Sequence, residues 1–245
     1  MNGNFEPALG FTLKYEGGWT DHPRDPGGAT MKGVTIGVYR AFKGRPVTKT
    51  ELRNISDDDL KAIYRKGYWR AVNADALPAG YDAAMFDFAV NSGPARALRY
   101  DKLVKASNPR ARIKELCAKR AAFFRSLSTF DVFGRGWMSR VTALEAFALK
   151  LAGAGPVELK TEAKKAEAKA ATNTAAATAS GTGATITGAT AANTAPSAPV
   201  EHAAALPMWS LIAIGVALIA VAGAFAWMAW RDSKRAEALH SEAGQ

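Results

Sequence analysis

A glutamate at the end of an apolar stripe supplies the first candidate for acid catalysis. Phe5, Leu9 and Leu13 recur at a helical period, and the same face reaches Glu16 three residues later. Gly17 and Gly18 then predict the close of a helix running from Phe5 to about Glu16. An inward carboxyl at a helix C-terminus meets desolvation and the negative end of the helix dipole, and both favour the protonated acid. Glycoside cleavage needs such a group, because the leaving sugar oxygen must receive a proton as its bond breaks. A helix-end Glu that turns to water, or pairs with Lys14 or Arg24, fits the periodicity equally well. Asp25 shifts that balance. It lies in the run HPRDPGGAT with nothing apolar to desolvate it, so it is expected to stay ionised and to stabilise charge on a sugar or hold a water. Thr30 and Thr35 each offer a hydroxyl to orient that water, and an N-cap role accounts for Thr35 equally well.

The run Lys14-Tyr15-Glu16-Gly17-Gly18-Trp19, followed by Asp25-Pro26-Gly27-Gly28-Ala29-Thr30 and Gly33-Val34-Thr35, resembles glycoside hydrolase family 108, the phage-related lysozymes with a Glu-Gly-Gly-aromatic motif. The likeness continues through Tyr68-Trp69 and the run from Phe86 to Gly93 into a helical segment that in such proteins is a predicted peptidoglycan-binding domain. The resemblance implies an N-acetylmuramidase acting on bacterial peptidoglycan, with Glu16 as its acid and catalytic roles for Asp25 and Thr30. Relative to the Glu, Asp and Thr triad of phage-type lysozymes, Thr30 comes one residue early and Met31 holds the expected place. Trp19, in place of the commoner tyrosine, keeps a flat ring that can stack on a sugar. Asp87 and Asn91 stand four apart on a predicted helix, so they either line the saccharide groove or form a buried polar pair that fixes helix packing.

The elements that must position these residues read as helices. The fold expected is mainly α: a lysozyme-like helical domain, then a disordered linker and one C-terminal transmembrane helix. After the Gly- and Pro-rich loop 17–33 a helix opens near Thr35, and another begins at Ser56, whose following Asp57, Asp58 and Asp59 suit a capped, acidic first turn rather than a metal site. Further helices are expected over 81–92, 113–127 and 140–151, with room for a short hairpin in the loop. The domain boundaries expected are 1–92 for the catalytic region, 93–151 for the helical peptidoglycan-binding region packed with it, 152–206 for the linker, 207–230 for the span and 231–245 for a polar tail.

Composition narrows the rivals. Lys and Arg exceed Asp and Glu by 25 to 15 before Ala152 and balance at seven each beyond it, so the net charge of +10 belongs to the first domain. A basic domain suits a polyanion such as the bacterial wall, but no recognition motif or aromatic platform supports nucleic acid as a partner. His22 stands alone in that domain without HExxH or paired Cys, so neither a metal nor any other cofactor is expected. Cys117, in the stripe Ile113, Leu116, Cys117, Arg120, Phe124, reads as a small buried hydrophobe. Oligomeric state leaves no trace in the sequence.

The C-terminal third suggests a membrane anchor. Residues 208–230 carry no charge and one serine, long enough as a helix to cross about 30 Å of hydrocarbon. Trp209, Trp227 and Trp230 sit at its ends, and Arg231, Lys234 and Arg235 follow at once. These features predict a single-pass protein with a periplasmic or wall-facing N-terminal domain and a cytoplasmic tail, although residues 1–10 show no signal-peptide pattern. Between domain and span, 157–171 could form a solvated helix, and the Ala- and Thr-rich 172–205 is expected to be a flexible tether. The competing function is a non-catalytic, membrane-tethered peptidoglycan-binding or holin-like protein.

Overall fold

The computed structural model describes residues 3–22, 27–193 and 208–244. The chain forms two compact units, Met1–Gly155 and Pro156–Gln245.

The first unit is built around one central helix. In α5 (Tyr81–Ser92) every residue from Tyr81 to Ala89 is buried, the carboxylates Asp82 and Asp87 included. Around it lie α1 (Phe5–Leu13), α6 (Pro94–Asp101), α7 (Pro109–Arg125) and α8 (Phe130–Leu151). Phe5, Trp69 and Phe86 meet edge to face with centroids 5.4 to 5.9 Å apart, the geometry that ring quadrupoles favour. The Trp69 indole also donates to Asp75 at 2.9 Å, so its burial leaves no orphaned donor.

The loop after α1 holds a small antiparallel sheet, β1 (Trp19–Thr20), β2 (Thr30–Met31) and β3 (Val34–Thr35), in that order. Trp19 pairs with Met31 and Met31 with Val34. Lys32 and Gly33 form the two-residue turn with φ of 47° and 77°, the left-handed pair that matches strand twist in a tight hairpin. Short as the strands are, the mainly α expectation holds for this unit.

The helices α2 (Ile36–Lys43), α3 (Lys49–Arg53) and α4 (Asp57–Tyr64) begin at caps that the sequence spells out. Thr35, Thr48 and Ser56 each accept a backbone N–H from the first turn, and Glu51 completes a capping box with Thr48. Arg45 and the Thr48 amide hold the Glu51 carboxyl down to about 2. A π-helical turn, Arg65–Trp69, carries α4 on toward α5.

In the second unit α9 (Pro156–Asn193) and α10 (Met208–Gly244) run antiparallel. Asn173 bonds Asp232 at 3.0 Å and Glu167 lies 2.9 Å from His240. Leu159, Ala163, Ala166 and Ala170 on α9, and Ala229, Ala236, Leu239 and Ala243 on α10, are buried.

Three expectations are corrected here. The disordered linker is replaced by helix over 156–193, while 194–207 lies outside the described residues. Alanine is the best helix former, and Thr161, Thr172, Thr174 and Thr178 donate their hydroxyls to carbonyls four residues back, so the Ala- and Thr-rich composition accommodates a helix. The transmembrane helix is also overturned, because among the described residues no helix is long and apolar enough to cross a membrane. In α10 the residues Arg231, Asp232, Lys234 and Arg235 continue the same helix. The single-pass localisation, its wall-facing and cytoplasmic sides and the partnership with a membrane fall with it.

Gly80 offers a test of how α5 is seated. Its φ is +80°, and a Cβ there would run into the Ala148 carbonyl oxygen of α8. Gly80→Ala is expected to cost about 2 kcal/mol or more, read as a lowered urea midpoint; a midpoint within error of wild type would show that the α5–α8 approach is looser than described.

Candidate active site

Glu16 does not end the first helix. The helix stops at Leu13 with Lys14 as its C-cap, so the surroundings of Glu16 are set by tertiary contacts rather than by the helix terminus. Its side chain keeps 20% exposure, and Oε1 accepts a bond from Arg140 Nη1 at 3.1 Å. The hairpin comes close to the other oxygen. A Cβ added to Gly33 would lie 3.0 Å from Glu16 Oε2 and 2.5 Å from the Tyr64 hydroxyl, so glycine is what lets the turn approach. Tyr64 donates to the Lys32 carbonyl at 2.7 Å and thereby ties α4 to the same turn.

Arg140 also engages Asp87. Its Nε donates at 3.1 Å and its Nη2 at 2.7 Å to the Asp87 carboxylate, which accepts in addition from Arg120 Nη1 at 2.7 Å and Thr12 Oγ1 at 3.0 Å. Asp87 and Thr12 are wholly buried and Arg120 nearly so. Burial alone would push the Asp87 carboxyl up, but the Arg120 and Arg140 guanidinium groups outweigh it and hold the carboxyl below the ordinary range. Nε and Nη2 of Arg120 find no hydrogen-bond partner among the described residues; its guanidinium lies 5.1 Å from the Phe88 ring and 5.4 Å from that of Phe124, so aromatic faces stand in for acceptors.

Three tyrosines complete the surroundings. Burial first, then the Glu16 charge, raises Tyr64 and Tyr68 above the usual phenol range, and burial and Asp87 raise Tyr15 against the pull of Arg140. All three therefore remain neutral hydroxyl donors. The Arg140 guanidinium lies 5.2 Å from the Tyr15 ring centre.

The structure joins Glu16 and Asp87 through Arg140, and it sets Trp19 and Thr30 on adjacent strands. Thr30 donates its hydroxyl to the Gly28 carbonyl at 3.2 Å, and Arg53 lies 5.6 Å from the Trp19 ring centre. Asn91, half-buried one turn beyond Asp87, accepts from the Ser92 hydroxyl at 3.0 Å. Asp25 lies outside the described residues. Sequence reasoning passed over Arg140, Arg120, Thr12, Tyr64 and Gly33. One sign was present: Arg120 interrupts an otherwise apolar stripe, and a lone charge there calls for a buried partner.

The site is a partly exposed carboxyl held by a guanidinium beside a short hairpin, on a helical scaffold. Residues 9–93 match the glycosyl hydrolase 108 family. The chain is also similar to the solved structure of Brucella abortus SagA, at 38% identity and a TM-score of 0.54, over 62% of this chain and 97% of that one. No curated protein matches the chain. The chain belongs to the glycosyl hydrolase 108 family, and the two likenesses together support a lysozyme-like peptidoglycan hydrolase. The family match ends at residue 93, so a peptidoglycan-binding domain beyond it has no match behind it.

Two outcomes follow from this geometry. Gly33→Ala strains a positive φ and crowds Glu16, so it is expected to lower lytic rate about tenfold or more while costing only about 1 kcal/mol of stability; unchanged lysis would mean that lysis does not depend on the approach of the turn to Glu16. Asp87, depressed when folded, contributes stability above its unfolded value near about 4, and that contribution is lost as pH falls through the folded value. Asp87→Asn should therefore destabilise by about 3–5 kcal/mol near neutrality, where it leaves two guanidinium groups short of a counter-charge. The deficit should shrink in acid, and a pH-independent deficit would contradict the pairing.

Proposed function

We propose that this protein is an N-acetylmuramidase that cleaves the glycan strand of peptidoglycan, with Glu16 as general acid. Glu16 gives its proton to the glycosidic oxygen, the bond from the muramic acid C1 to that oxygen breaks, and the glucosamine unit leaves as an alcohol. The positive charge that develops at C1 is met by the second carboxylate, Asp25, or by a water that Asp25 and Thr30 orient, and addition of water at C1 completes hydrolysis. Trp19 offers an indole for stacking against a sugar ring, and Asn91 a polar contact at the groove. Asp87, being buried, acts on the substrate only through Arg140.

The observation that carries this reading is the environment of Glu16: a family motif glutamate, partly open to solvent, with one oxygen held by Arg140 and the other beside the hairpin. The basic charge of the first unit favours an anionic wall polymer as substrate.

Digestion of purified peptidoglycan by wild type and Glu16→Gln tests the assignment. Wild type should release fragments with a reducing end on muramic acid, and Glu16→Gln should lose about 10²–10⁴-fold in rate. New free amines would identify a peptidase instead, and equal cleavage by both proteins would remove Glu16 from the chemistry.

A further inference from the structure

Arg140 spends its donors in an ordered way. One edge of its guanidinium, Nε and Nη2, is occupied by Asp87, and the remaining nitrogen, Nη1, meets Glu16 Oε1 at 3.1 Å. A planar fork held along one edge cannot swing, so the position of its third nitrogen is fixed by the carboxylate that holds it. Asp87 is fixed in turn by Arg120 and Thr12, from α7 and α1. Glu16 Oε2 is left facing the Gly33 turn and the Tyr64 hydroxyl, whose proton is committed to the Lys32 carbonyl.

We infer that Arg140, anchored by Asp87, is a positioning residue for Glu16: by binding Oε1 it makes Oε2 the oxygen that carries the proton and hands it to the leaving sugar. The inference rests on Glu16 being the acid. Among the described residues Arg140 from α8 binds Glu16, and Tyr64 from α4 and Tyr68 from the π-helical turn feel its charge.

The test is steady-state cleavage of peptidoglycan by the full chain as wild type, Arg140→Gln, Arg140→Lys, Asp87→Asn and Glu16→Gln, with the folded fraction of each read from urea melts. Arg140→Gln leaves Asp87 paired with Arg120. It is expected to lower kcat in the folded fraction about tenfold or more with KM within about twofold. Arg140→Lys keeps the charge but not the fork, so its kcat should fall as well. Asp87→Asn releases the edge that holds the fork, so kcat in the folded fraction should fall with KM little changed. A lower kcat at unchanged KM in folded protein is not produced by loss of packing. Should both Arg140 variants lose kcat only as the folded fraction falls, Arg140 is a packing residue and the inference fails. An active Glu16→Gln would be a distinct result that removes the acid itself.

Discussion

Arg140 faces two carboxylates at once, one buried and one at the surface, and the first unit is arranged so that it can. Asp87 would be costly to bury alone, and so would Arg120; with Arg140 and Thr12 they form a network in which Asp87 accepts from all three. Such clusters add less to stability than their close contacts suggest, because desolvation offsets most of the attraction. Their strength lies in geometry, since removing one member leaves the others uncompensated. Here the geometry ends at Glu16.

That constraint explains why the site needs helices far apart in the chain. Thr12 comes from α1, Asp87 from α5, Arg120 from α7 and Arg140 from α8. The family match stops at residue 93, yet both arginines lie beyond it. Helices α7 and α8 are therefore part of what holds Glu16. On the opposite side the Lys32-Gly33 turn closes over Glu16 because glycine has no Cβ to keep it away.

Much of this was legible in residue order. Caps at Thr35 and Ser56 announced their helices, and the stripe from Phe5 through Leu9 pointed to the buried face of α1. What escaped was long-range. Nothing local pairs Glu16 with Arg140 across 124 positions, and two-residue strands are too short to show an alternating pattern. The C-terminal third misled for a different reason: composition and hydropathy treat a segment as if it had no neighbour. Helix α9 is rich in alanine, and α10 buries Ala229, Ala236 and Leu239 rather than standing alone.

The most direct measurement is a crystal structure of Glu16→Gln with a peptidoglycan oligosaccharide bound. The expected result is a glycosidic oxygen within about 2.6–3.2 Å of the substituted side chain, on the side of the Gly33 turn, with Arg140 still bridging position 16 and Asp87. A strand bound with its glycosidic oxygens away from that side chain, or an Arg140 that has left Asp87 to meet the sugar, would contradict the central claim.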